Sequence, residues 1–364
     1  MAAEEGGQGC RSTKISLVTT AIVSDLHLGA ASGRDLLRRE DVLGALTGAL
    51  RGVDELVLLG DVLELREAPL AQVLRIARPA LTQIGQAMTG RRVTIVAGNH
   101  DHQLAGPLIE SLRAGDRRLE PESTGEPPDH GPLAEVARAL RPAEVRVAYP
   151  GVWVRGDVYA THGHYLDVHN TVPSFERLAI GAVQRLTARF PDGRARPGDY
   201  EAALAPLYAL AYTLAQSSAG RTLVRSDRSS RARQVLTGRN GRLLSGVALP
   251  AAVGLLNAAG LGPLKADLSG EGLRDSALRS MNAVLDRLGI EAPHVVFGHT
   301  HRSGPHDGDR GWGRLMNTGS WILEPSFLGH HPQTSPYFPG HMAIVPDSGA
   351  PELRRVLGEL PGRY

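Results

Sequence analysis

The chain is poor in cysteine and in lysine. Cys10 is the only cysteine among 364 residues, so no disulfide can close within the chain and no thiolate cluster can hold a metal. Lys14 and Lys265 are the only lysines, and nearly all other cations are arginines. We read that skew as genome composition rather than function. The opening MAAEEGGQGCRSTK has no apolar segment of the kind a secretory signal needs, which predicts a disordered leader over 1–14 and a cytoplasmic protein. The formal net charge of +2 lacks the basic excess of a dedicated nucleic-acid binder. The uncharged stretch GVALPAAVGLLNAAGLGPL, 246–264, carries Pro250, Asn257 and several glycines, which argues against a membrane span.

What is present is an alternation of apolar runs and amphipathic segments. ISLVTTAIV (15–23), DELVLLGDV (54–62) and RRVTIVAGNHD (91–101) read as strands buried on both faces. Helical spacing over 35–51 and 70–88 separates them, and this alternation predicts an α/β architecture. The Gly-, Pro- and acid-rich residues 115–132 read as a long surface loop. Residues 143–164 read as consecutive short strands, with Pro150-Gly151 and Gly156-Asp157 as turns. A further strand set is expected over 293–301, 313–321, 341–347 and 352–358. Between the two strand-rich ends, 166–290 is helical by period, with helices expected over 173–190, 199–216, 228–237, 243–258 and 273–289. The expected organisation is a core formed by 15–165 and 291–364, interrupted by a helical insert, or cap, over 166–290.

Five strands end in the same chemistry. The first ends in Asp25 and His27, the second in Gly60-Asp61, and the third in Gly98-Asn99-His100-Asp101. Later strands add His162-Gly163-His164 and Gly298-His299-Thr300-His301. A single Asp or His at a strand end is ordinarily a turn residue. Five such ends, however, would meet beyond the carboxyl edge of an open α/β sheet. Strand alternation would put Asp25 with His27, and His299 with His301, on common faces. Mixed imidazole and carboxylate donors suit Mn, Fe, Co or Zn rather than Ca or Mg alone.

These blocks, DLH, GD, GNHD, THGH and GHTH in that order, resemble the calcineurin-like metallophosphoesterases over residues 20 to 320 outside the helical insert. The resemblance implies a two-sheet αββα sandwich with two divalent metals, manganese first among them, at the sheet edge. It assigns Asp25, His27, Asp61 and His301 to one metal, and Asp61, Asn99, His162 and His299 to the other, with Asp61 bridging. It implies in-line attack of hydroxide on phosphorus, with His100 serving the leaving oxygen and Asp101 orienting His100. SDLHLG, GDVLEL and the place of the insert look most like the UDP-diacylglucosamine pyrophosphatase branch. His100, where that branch carries Arg, and HGH, where it carries HGD, depart from it.

The substrate is less legible. His164, Asp167 and His169 follow His162 closely, and His164 is the expected substrate contact. RTLVRSDRSSRARQVLTGRNGR (221–242) holds seven arginines against one Asp, and Arg228 and Arg231 are expected to meet phosphate there. A basic segment beside an apolar one suits an amphipathic phospho-substrate, lipid-linked or a nucleotide-sugar, or peripheral contact with a membrane. The same metal site would serve a nuclease or a cyclic-nucleotide phosphodiesterase. A non-catalytic scaffold is the reading of another class, and the intact set of seven ligand positions weighs against it.

Overall fold

A computed structural model describes residues 18–171, 190–217, 270–305 and 313–360. The leader, nearly all of the helix expected over 173–190, those over 228–237 and 243–258, the arginine-rich stretch with Arg228 and Arg231, and the uncharged stretch 246–264 lie outside them. Among the described residues no helix is long and apolar enough to cross a membrane.

The apolar runs form strands, each shorter than its run because the polar ends turn away. β1 (Thr20–Val23), β2 (Glu55–Leu59), β3 (Arg92–Val96) and the first half of β5 (Glu144–Arg155) lie parallel and side by side. Between them run α1 (Glu40–Ala49), α2 (Leu70–Ala87), α3 (Gly106–Ala114) and α4 (Pro132–Ala139). The second half of β5 pairs antiparallel with β6 (Val158–Thr161), and β7 (His294–Phe297) and β9 (Leu315–Asn317) follow in parallel. β8 (Gly304–Pro305) closes one end, and β10 (His341–Val345) and β11 (Glu352–Arg355) close the other.

The fold is thus mixed α/β with one large sheet. The strands join in one eleven-stranded sheet, ten along a continuous path and β4 beside β5, where the resemblance implies a two-sheet sandwich. The cause is β5, which is one strand of 12 residues and not two strands about a Pro-Gly turn. Up to Ala148 it pairs with β3, and from Gly151 it pairs with β6, so Pro150-Gly151 marks a change of partner. Proline has no N–H to leave unpaired at such a crossing. The loop expected over 115–132 likewise contains β4 (Glu122–Gly125), antiparallel to β5.

Strand alternation divides the core. One face of β1, β2, β3 and β5 packs with α1 to α4 around Leu46, Leu58, Ile84 and Ile95. The other face gathers Ile22, Val57 and Val96 with Val152, Ala160 and Val296, so the sheet curls until its two halves share one apolar cluster. α6 (Gly270–Leu288) covers β6, β7 and β9 through Leu278, Met281 and Leu285. α5 (Pro197–Gln216) packs on α6 and on the turn after β6 through Tyr200, Leu204 and Val284. α7 (Pro325–Leu328) is a single turn near the C-terminus.

A buried carboxylate ties α5 to the strand-end loops. Glu201 accepts from the Tyr149 and Tyr165 hydroxyls at 2.6 and 2.7 Å and faces His102 Nε2 at 2.8 Å. Burial disfavours the charge, but His102 and the two tyrosine hydroxyls together outweigh it and keep the Glu201 pKa below its ordinary value. Glu201→Ala would leave three donors without their acceptor. It is expected to cost about 3 kcal/mol, seen as a lower midpoint in thermal or urea unfolding, with a smaller loss for Glu201→Gln.

Candidate metal and catalytic centre

β1, β2, β3, β6 and β7 all release their chains at one edge, and the expected residues meet there. The local reason differs from the one read in the sequence. Asp25 and His27 lie beyond β1, and His299 and His301 beyond β7, so strand alternation does not aim them. A left-handed backbone does: φ is 55° at Asp25, 45° at His27, 51° at Asp61, 67° at His299 and 56° at His301. Among the described non-glycine residues, only Asp116 shares that conformation. Such backbones cost roughly 1–3 kcal/mol each and persist where the surroundings impose them.

The surroundings here are close. The Asp25 N–H donates to the Gly60 carbonyl (3.0 Å), His27 N–H to that of Asp61 (2.8 Å), and Gly298 N–H to that of His162 (3.0 Å). A Cβ on Gly60 would collide with the His162 ring, one on Gly98 with Asp61, and one on Gly298 with Asp25 and Ser24. These three glycines therefore each make room for a side chain of another motif. Asn317 clamps the last loop, donating from Nδ2 to the Gly298 carbonyl (2.6 Å) and the Thr300 hydroxyl (3.0 Å).

Polar atoms converge in two adjoining sets. His27 Nε2 is 3.1 Å from His301 Nε2, which is 3.2 Å from Asp25 Oδ1, and Asp61 Oδ2 lies 3.8 Å from His27 Nε2. On the other side Asp61 Oδ2 is 3.2 Å from His162 Nε2. Asn99 Oδ1 is 3.2 Å from that nitrogen and 3.0 Å from His299 Nδ1. Each Asp spends its other oxygen on backbone: Asp61 Oδ1 accepts His100 N–H (2.8 Å), and Asp25 Oδ2 accepts His299 N–H (3.0 Å).

The far nitrogen of each of these four imidazoles meets an acceptor. His27 Nδ1 faces Glu64 Oε2 (3.0 Å), His162 Nδ1 the Leu59 carbonyl (3.0 Å), His299 Nε2 Asp167 (3.1 Å) and His301 Nδ1 Glu324 (3.2 Å). A carbonyl or carboxylate can only accept, so each outer nitrogen carries the proton. In the neutral ring the inner nitrogen then presents a lone pair, the arrangement of metal-ligating histidine. Three groups among the described residues could hold a metal ion: Asp25, His27 and His301; Asp61, His162 and His299; and His27, Glu64 and His100. The third has hydrogen-bond geometry, because one Glu64 oxygen meets His27 Nδ1 and His100 Nδ1, at 3.0 and 2.7 Å.

Glu64 also corrects a sequence expectation. Asp101 does not touch the His100 ring; its carboxylate accepts the backbone N–H groups of Asp61, Val62, Leu63 and Gly98 (2.7–3.2 Å). It holds the two loops together, and Glu64 orients His100. GDVLEL contained the residue, yet nothing in its spacing distinguished it from Asp101 as a partner. Glu324 gave no sequence signal. Asp167 followed His162 closely and proves to face His299, whereas His169 meets the Tyr200 hydroxyl at 2.8 Å. His164, expected at the substrate, is buried behind His162 and does not line the cavity; its Nε2 faces the Tyr149 hydroxyl at 3.0 Å.

Carboxylates and imidazoles of the centre favour each other's charged forms against burial. Burial penalises the Asp61 carboxylate, but the charges of His162 and His100 hold its pKa well below the usual range. Burial also opposes charge on His162, yet Asp61 and Asp25 lift it to about 9. His301 is raised well above its ordinary value against burial, by Glu324 and Asp25. Burial raises Asp101 to about 6, and the Asp61 charge adds to the rise. A cavity of roughly 340 Å³ opens over Asp61, Asn99, His100, His299 and His301.

No family model matches the chain, and no curated protein matches it. Among solved structures it is similar to a point mutant of a cold-active protein tyrosine phosphatase, at 15% identity and a TM-score of 0.25, over 90% of this chain and 75% of that one. Another is the cold-active protein tyrosine phosphatase of a psychrophilic Shewanella species, at 14% identity and a TM-score of 0.24, over the same shares. Superpositions at these scores do not establish a shared fold.

Glu64→Ala would release both His27 and His100 from their orienting acceptor. It is expected to weaken divalent-cation binding by about 10–100-fold, measured by calorimetric titration of Mn²⁺ into the chelator-treated protein.

Proposed function

We propose that the protein is a metal-dependent hydrolase of phosphoesters or diphosphates, of the calcineurin-like metallophosphoesterase kind, in which the two halves of the one sheet answer to that family's two layers and a helical cap covers the site. One observation carries it. Four histidines, each with its outer nitrogen on an acceptor, turn their inner nitrogens onto two carboxylates and an amide oxygen beneath an open cavity. Neutral imidazole, carboxylate and amide oxygen are all lone-pair donors, a set that suits divalent transition metals. In this reading Asp25, His27, Asp61 and His301 hold one ion, and Asp61, Asn99, His162 and His299 hold a second. Manganese is the first candidate, with iron, zinc or cobalt as alternatives. Ions bound there would supply Lewis acidity toward phosphoryl oxygens and a hydroxide at neutral pH.

The chain's own residues account for the rest of the step. Water supplies the oxygen that bonds to phosphorus, the P–O bond to the leaving group breaks, and the leaving oxygen takes a proton. His100 is placed to give it: Nδ1 is fixed on Glu64, and the ring reaches the cavity with Nε2 3.5 Å from an Arg66 nitrogen. With Nδ1 committed to Glu64, a proton carried on Nε2 is the one the ring can give. Asp61 ties the parts together, since its Oδ1 fixes the His100 backbone while its Oδ2 faces His27 and His162. The substrate is a phosphorylated small molecule; a lipid-linked or nucleotide-sugar compound under the cap fits this reading.

Two measurements test it. Hydrolysis of bis-p-nitrophenyl phosphate is expected with Mn²⁺ and is expected to vanish with chelator and in Asp61→Ala; activity surviving Asp61→Ala would refute the reading. His100→Ala is expected to lower kcat by roughly 10²–10⁴-fold while Mn²⁺ binding persists.

A further inference from the structure

Beyond the His and Asp cluster, the cavity wall has a second pole. α6 contributes Arg274, and Arg302 follows directly on His301; both line the cavity and both are half-buried. Arg274 reaches this space from the helix and Arg302 from the loop that follows β7. Asp275, the next residue on α6, faces Arg279 at 4.0 Å. Among the described residues neither Arg274 nor Arg302 lies within ion-pairing distance of a carboxylate. Two guanidinium groups on the lining of one partly buried space offer charge-assisted donors to an anion that enters it. The guanidinium fork matches phosphate and carboxylate oxygens two at a time.

The lining also has an apolar part, beside polar residues that include Arg66, Asn170 and Glu324. The Phe327 and Tyr337 rings stand 5.0 Å apart and line the same cavity with Leu273. At roughly 340 Å³ the space exceeds what one phosphoryl group needs and falls in the range of small-molecule sites.

We propose that Arg274 and Arg302 form a subsite for a second anionic group of the substrate, phosphate or carboxylate, carried on the portion of the molecule beyond the phosphoryl group that is cleaved. The substrate class is then a phosphorylated compound with two separate anionic groups and an apolar or aryl part against Phe327 and Tyr337, not a singly charged diester. The assignment rests on the function proposed above, and it names what that site selects. It also gives the final helix before β7 a recognition task that the sequence reading had placed on Arg228 and Arg231.

The test compares four chromogenic or coupled substrates with Mn²⁺. Bis-p-nitrophenyl phosphate and the p-nitrophenyl ester of thymidine 5′-phosphate carry one charge at the reacting diester. The same thymidine ester bearing a 3′-phosphate, or a disubstituted diphosphate such as ADP-ribose, carries a second anion, remote in one and adjacent in the other. The wild-type protein is expected to favour at least one doubly anionic substrate by tenfold or more in kcat/KM. Arg274→Ala and Arg302→Ala are each expected to erase about tenfold of that preference, chiefly through KM, as loss of a charge-assisted contact predicts. Arg279→Ala, on the exposed side of α6, is expected to retain it. Should Arg274→Ala fold poorly, Arg274→Gln reports the same loss. Binding of methylenediphosphonate, weakened in the Arg274 and Arg302 variants relative to methylphosphonate, reads the subsite without turnover. Cleavage of bis-p-nitrophenyl phosphate with no preference for a second anion, or a preference unmoved by both substitutions, overturns the subsite and leaves the hydrolase reading standing. No cleavage of any of the substrates under any divalent metal refutes the hydrolase reading instead.

Discussion

Two buried carboxylates, Asp25 and Asp61, set the constraint from which the rest of this structure follows. A carboxylate removed from water must find hydrogen-bond donors or positive charge, or lose its own charge. Each meets this in halves. One oxygen accepts a backbone N–H of a distant loop, His299 for Asp25 and His100 for Asp61. The other oxygen is turned toward imidazole nitrogens, and those imidazoles have committed their protons elsewhere, to Glu64, Leu59, Asp167 and Glu324. In their neutral form those rings turn lone pairs inward, beside the carboxylate oxygens.

That arrangement is expensive for the backbone as well as for the charges. Five of the converging residues sit at positive φ, a conformation that hydrogen bonding between loops and packing against the glycines must hold in place. The large sheet supplies the rigidity. Its parallel strands fix five loop origins along one edge, and the Asp101 carboxylate joins the second and third loops through their N–H groups. On the far side, Glu201 draws Tyr149, Tyr165 and His102 onto α5, so the helical layer is fastened to the same loops it overlies. The same cavity carries both signs of charge: the carboxylates of the cluster, and the guanidinium groups of Arg274 and Arg302.

Much of this was legible in order along the chain. The apolar runs marked the strands, and helices over 199–216 and 273–289 were expected within a few residues of α5 and α6. The repeated endings in Asp, Asn and His marked one edge, and all seven expected ligand positions come together there. Local pattern misled where a partner change or a distant acceptor decided the outcome. Pro150-Gly151 has the composition of a turn, yet β5 runs through it because a new strand takes over the pairing. Asp101 stood next to His100 in sequence, but its carboxylate points back to the Asp61 loop, and Glu64, 36 residues away, reaches the ring. His164 shared a motif with His162 and lies behind it against Tyr149.

The sequence by itself determined which residues would gather and at which edge, because strand periodicity and chain order fix where each polar ending emerges. It determined the donor types too, since the absence of cysteine ligands leaves nitrogen and oxygen. Only the tertiary structure decided how those residues face one another. Orientation depends on left-handed backbones, on glycines that yield space to side chains of other motifs, and on acceptors such as Glu324 that carry no local signature. The second, cationic pole of the cavity belongs to this latter kind. Arg274 and Arg302 are 28 positions apart in an arginine-rich chain, and only packing of α6 against the sheet brings them to one wall.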